Sequence, residues 1–94
     1  DIYSTGIMFY QLLVGETPFK GENPITIINK HISEKMPLLN ADNIKLSNID
    51  NNQIFIDAIN EIIQKACQKD KSERYNSVSE MIKDISNLLK DNVE

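Results

Sequence analysis

The chain has 94 residues, of which 14 are acidic and 10 basic, giving a formal net charge of −4. A chain this short buries only about 60–65% of the surface it exposes when unfolded, so it holds one thin core at most. Its bases are interleaved with acids, as in Lys69-Asp70-Lys71-Ser72-Glu73-Arg74, which excludes the clustered cationic surface that nucleic-acid phosphates require. Cys67 is the single cysteine, so no disulfide forms within these residues and a reducing, cytoplasmic setting is expected. The most apolar stretch, residues 7–14, is broken by Gln11 and is far shorter than the ~20 residues of a membrane span. No signal peptide is visible, and an opening Asp1 in place of Met implies processing or excision from a longer protein.

Helical signals dominate the chain, and the expected class is all-α. The first helix is predicted over residues 1–15. Asp1 is a good N-cap, Gly15 is placed to end the helix in a left-handed conformation, and the residues between are apolar on nearly every side. Such a helix is normally buried in a larger body, and on this reading Met8 and Leu12 are core residues. Thr17-Pro18-Phe19 and Gly21 form a turn segment. A second helix is predicted over 23–34, with Asn23 as cap, Pro24 in the first helical position, and Ile25, Ile28 and Ile32 at helical spacing.

From Glu34 to Asn52 the periodicity dissolves into Pro37 and a run of Asn and Asp, the mark of a long loop. The third helix, 53–68, turns Phe55, Ile59, Ile62, Ile63 and Ala66 to one face. The fourth, 77–91, opens on the capping box Ser77-Val78-Ser79-Glu80 and carries the stripe Val78, Met81, Ile82, Ile85, Leu88 and Leu89.

Two segments carry a family resemblance. Asp1-Ile2-Tyr3-Ser4-Thr5-Gly6, with Leu13-Val14-Gly15-Glu16-Thr17-Pro18-Phe19, resembles the D-x-W/Y-S-x-G…L-x-G-x-x-P-F stretch of bacterial eukaryotic-type (Hanks-type) Ser/Thr protein kinases. Lys65-Ala66-Cys67-Gln68-Lys69-Asp70 through Arg74-Tyr75, then Ser79-Glu80-Met81, resembles the K-A-x-x-K-D-P-x-x-R-Y…E-M stretch that closes the same domain. The resemblance covers almost the whole chain and implies a four-helix C-terminal subdomain of a protein-kinase large lobe. Lys71 stands where the family usually has Pro, which implies a looser turn before Arg74. Gln11 stands where many kinases have Glu, so recognition of basic substrates is not implied.

The resemblance also implies roles. Asp1, Gly6, Met8, Leu12 and Arg74 fall on structural anchor positions. In the family, Asp1 binds backbone amides of the catalytic loop, Met8 and Leu12 support the hydrophobic column beneath the adenine ring, and Arg74 pairs with the Glu of the A-P-E motif. Protein-kinase chemistry needs a Gly-rich loop over the phosphates, a strand Lys, a catalytic-loop Asp, and an Asn and second Asp on Mg²⁺. None of those motifs occurs in these 94 residues. No catalytic, cofactor-binding or metal residue is therefore expected, and ATP and Mg belong to the parent enzyme. Without its partners, Asp1 is expected to be a plain N-cap. Arg74 should be partly exposed, meeting water, Asp70, Glu73 or another chain. His31 has no ligand partners at metal spacing, Cys67 reads as a small buried hydrophobe, and the charges around Arg74 read as a solvated turn.

Two functions follow as expectations. In the first, the chain is the inactive C-lobe end of a Ser/Thr kinase, whose parent acts on protein substrates and is cytoplasmic or membrane-anchored. The second is a stand-alone helical interaction module derived from a kinase. The partners expected are the remainder of the kinase domain or, through the first helix, a second copy of the chain.

Overall fold

The computed structural model describes residues 1–45 and 53–92. It contains α1 (Ile2–Val14), α2 (Pro24–Ser33), α3 (Gln53–Ala66), a 3-10 turn (Lys71–Glu73) and α4 (Val78–Asn92). No strand occurs among the described residues, and the fold is all-α as expected.

The centre of the molecule is α3. Its residues Phe55, Ile56, Ile59, Ile62, Ile63 and Ala66 are all buried, and α1 and α4 pack against it. A 14-residue helix is marginal alone. Burying one large apolar side chain contributes about 1.5–3 kcal/mol, so this inner face is what holds α3 in place. The predicted end at residue 68 overruns by two residues, because the chain turns after Ala66.

Asp1 caps α1 by accepting from the Ser4 N–H at 2.7 Å, and Gly15 ends it with φ of 86°. Its buried residues are Gly6, Tyr10, Leu13 and Val14, one face at helical spacing. Gly6 allows a close approach: a Cβ there would lie 2.6 Å from Cys67 Sγ and 2.9 Å from Ala66 Cβ. The reading of Met8 and Leu12 as core is wrong for this chain, since they are 56% and 63% exposed. Each lies about 200° around the helix from a residue facing α3, so neither can reach that partner. The helix is apolar on nearly every side, yet it is covered on one, and Ser4 and Gln11 share the exposed side with Met8 and Leu12.

The segment after α2 is irregular, as predicted, but it is not a bystander. Met36, Leu39 and Ile44 are buried in the common core. Asn60 of α3 brackets Leu39, accepting from its N–H at 2.8 Å and donating to its carbonyl at 3.0 Å. Gln64 Nε2 donates to the Met36 carbonyl at 2.9 Å, and the Lys45 N–H donates to the Leu13 carbonyl at 2.7 Å. The predicted loop's last part, 46–52, lies outside the described residues.

The start of α4 is half a capping box: Ser77 Oγ accepts from the Glu80 N–H at 3.2 Å, and the return bond from the Glu80 side chain is not formed. The stripe on α4 is narrower than predicted. Met81 is fully buried and Ile85, Leu88 and Leu89 are partly so, while Ile82 and Val78 point outward. Tyr75 ties this helix down, its hydroxyl donating to Asp84 Oδ2 at 2.9 Å while Lys65 Nζ sits 4.3 Å over its ring.

Asn23 caps α2 as read, accepting from the Thr26 N–H at 3.0 Å. The helix nevertheless buries no residue, and Ile25, Ile28 and Ile32 form an exposed ridge.

Candidate functional site

The polar and aromatic groups with the richest mutual contacts gather where α1 begins, α2 ends and the chain leaves α3. Tyr3 comes from the first turn of α1, and its ring stands edge-on to His31, centroids 5.7 Å apart. The Tyr3 hydroxyl and His31 Nδ1 are 2.7 Å apart. Phe19, from the turn after α1, meets the same imidazole at 4.8 Å. Lys69 Nζ donates to the His31 carbonyl at 2.7 Å and lies 5.0 Å over the Phe19 ring. Arg74 Nε donates to the Gln68 carbonyl at 2.8 Å, and its guanidinium lies 4.9 Å over the Tyr3 ring.

Beside this cluster runs an open groove of about 520 Å³, lined by Asp1, Tyr3, Ile28, His31, Lys69 and Arg74 among others. A second cavity of about 580 Å³ opens on the other side of Arg74, against Asp1, Lys71, Ser72 and Asn76. Asp1 and Arg74 therefore share both openings, whereas Gly6 lies against the end of α3 and Met8 and Leu12 line neither.

Arg74 is partly buried, as predicted, but its partners are not the expected acids. It uses a backbone carbonyl and an aromatic face, and no ion pair with Asp70 or Glu73 forms. Asp70 is engaged elsewhere, accepting from the Ser72 N–H at 2.9 Å and hydroxyl at 2.8 Å. Those bonds hold its carboxyl below the usual range. The turn that was expected to loosen without Pro is a closed 3-10 turn capped by that side chain. The segment is a solvated turn as read, with residues 69–73 exposed, and within it Lys69 reaches back to α2.

Burial sets the proton affinities of the cluster. It lowers His31, with the Lys69 charge adding to the effect, and it lowers Lys69 itself. It raises Tyr3 and pushes the Cys67 thiol up to about 11. Cys67 is buried with its Sγ 3.8 Å from the Tyr3 carbonyl, a packed hydrophobe and not a nucleophile.

The fit to MgATP is poor. Among the described residues no three His, Cys, Asp or Glu side chains gather to hold a metal ion. Asp1, the carboxylate on the groove, is turned to its own helix. The groove has cations but neither a Gly-rich loop nor paired carboxylates, so no phosphoryl-transfer step is assigned to these residues. Among the described residues, no helix is long and apolar enough to cross a membrane.

The sequence motifs located Asp1 and Arg74 but left Tyr3, His31 and Lys69 without a role. Tyr3 lay inside the first motif. Its contact with a residue 28 positions away leaves no trace in local spacing.

Residues 1–87 match the model of the protein kinase domain. The chain is 38% identical over 91 residues to a probable serine/threonine-protein kinase of Clostridium perfringens, covering 97% of this chain and 12% of that protein. It is 35% identical over 86 residues to the probable serine/threonine-protein kinase PknB of Lactococcus lactis, covering 92% of this chain and 12% of that protein. With the serine/threonine-protein kinase PrkC of Bacillus subtilis, identity is 33% over 85 residues, covering 90% of this chain and 12% of that protein. The chain thus spans about an eighth of the length of these relatives. Four helices in the predicted order, both motifs in place and a match over nearly every residue lead to one conclusion: the chain belongs to the protein kinase domain family, as the C-terminal part of its large lobe.

Proposed function

We propose that this chain supports phosphoryl transfer without performing it, as the closing end of a Ser/Thr kinase whose catalytic motifs lie elsewhere in the parent protein. The observation that carries the reading is Arg74. Its guanidinium is partly buried, bound at Nε and stacked on Tyr3, and its remaining N–H groups meet no carboxylate among the described residues. A partly buried, pre-positioned fork of this kind is suited to a bidentate carboxylate. In the kinase family that partner is the Glu of the A-P-E segment, and a segment reaching the groove beside Asp1 would supply it. The parent is then a cytoplasmic or membrane-anchored enzyme that holds ATP and Mg²⁺ in its own catalytic half and acts on protein hydroxyls.

The exposed pair Met8 and Leu12 supports the same reading, because the rest of the lobe would cover it. In the isolated chain the pair drives association of copies, which sedimentation at micromolar concentration would register as a dimer or larger species. Calorimetry is the direct test: the 94-residue chain should show no binding of MgATP, and micromolar binding would overturn the proposal. The exposed Ile25, Ile28 and Ile32 ridge favours one second reading, a stand-alone docking module. The coding sequence upstream of Asp1 separates the two. H-R-D, D-F-G and A-P-E equivalents there support the kinase end, and their absence supports the module.

A further inference from the structure

We infer that His31 is a proton-operated latch for α2: the neutral imidazole clasps the helix to the body, and its protonation lets the helix go. The geometry leaves α2 dependent on very little else. It buries no residue of its own, and its three outward isoleucines face away from the core. Among the described residues its polar ties to the body run through His31, through the Lys69 bond to the His31 carbonyl, and through a bond from Lys30 Nζ to the Lys20 carbonyl, while half-buried Thr26 and Ile27 lie against Gly21.

His31 Nδ1 and the Tyr3 hydroxyl lie 2.7 Å apart, and the latch takes the neutral ring as its Nε2–H tautomer, in which Nδ1 accepts from that hydroxyl. Protonation makes both ring nitrogens donors, so the Tyr3 hydroxyl must turn around. The new charge would also be the third cation in the cluster, beside Lys69 and Arg74. The two rings that meet His31 already carry other cations. Lys69 lies over Phe19 at 5.0 Å and over Tyr3 at 5.8 Å, and Arg74 lies over Tyr3 at 4.9 Å.

The acids nearby do not compensate. Asp1, on the same groove, is held by the Ser4 N–H, and Glu34, at the end of α2, acts on Lys69. Burial and the Lys69 charge both favour the neutral ring. A histidine whose folded value lies below its ordinary one, about 6.5, docks fully above that value. Docking is lost as pH falls through the folded value.

Hydrogen exchange read by mass spectrometry on the intact protein at about pH 7.5 and about pH 5, corrected for intrinsic exchange, tests the latch. Peptides from α2 should lose protection at the lower pH, while those from α3 keep theirs and report that the core is folded. In His31→Gln, whose amide oxygen can still accept from Tyr3, the loss should vanish. In Tyr3→Phe, α2 should be less protected at pH 7.5 and change less on acidification. A wild-type α2 indifferent to pH, or an equal loss in His31→Gln, would overturn the latch.

Discussion

The helices α2 and α3 carry the same kind of apolar spacing and use it in opposite ways. Ile59, Ile62 and Ile63 of α3 point inward, between α1 and α4, whereas Ile25, Ile28 and Ile32 of α2 point outward. What differs is the supply of partners. The middle helix has two apolar neighbours to bury its face against, and α2 is held at its end by a histidine, a tyrosine and a lysine. Apolar spacing therefore sets which face of a helix is greasy, and the tertiary neighbours decide whether that face is covered.

The strongest way to break this contrast is to cut into α3. Phe55 is fully buried, and Phe55→Ala should cost about 3–5 kcal/mol by guanidinium unfolding, enough to leave a small domain largely unfolded. A loss below about 1 kcal/mol would mean the α3 face is no better packed than that of α2. The end of α3 can be tested without mutation. Burial that moves the Cys67 thiol from 9.0 to about 11 lowers its thiolate fraction about 100-fold at pH 8. Iodoacetamide should thus label the native chain at least that much more slowly than the unfolded one, and the native rate should climb as pH approaches 11. Equal rates would show that the Gly6–Cys67 contact is open.

How far the sequence could be read follows the same division. The caps at Asp1, Asn23 and Ser77, the Gly15 stop and the inner face of α3 are set by neighbours within a turn or two, and they were legible. Asp1 and Arg74 were legible through motifs. The anchors Met36, Leu39 and Ile44 were not, because an irregular segment has no period to betray which residues turn inward. The pairing of Tyr3 with His31 spans 28 positions, and Met8 and Leu12 were misplaced although Ser4 and Gln11, exposed on the same side of α1, are the polar residues that mark it.

Asn60 offers a test of those hidden anchors. It satisfies both backbone groups of buried Leu39, so Asn60→Ala should cost about 1–3 kcal/mol through two polar groups left unpaired. Asn60→Asp should keep the bond from the Leu39 N–H and lose the one to its carbonyl, falling between wild type and Ala. If all three unfold alike, the irregular segment is not fastened to α3 at all.

The smallest expected effect is the most discriminating. Ile28 is 56% exposed on a helix with no fully buried residue, so Ile28→Ser should change unfolding free energy by no more than about 0.5 kcal/mol. The same change at Ile63, fully buried in α3, should be severe. A measurable loss at Ile28 in dilute solution would mean that the ridge is packed within the chain, and the contrast between the two helices would fail. A loss that appears only at higher protein concentration would place the ridge in an association surface instead. Sedimentation of Ile28→Ser beside Leu12→Ser then decides which exposed face joins copies. Since the ridge on α2 and the Met8–Leu12 side of α1 are separate faces, the substitution that lowers the mass identifies the face in use.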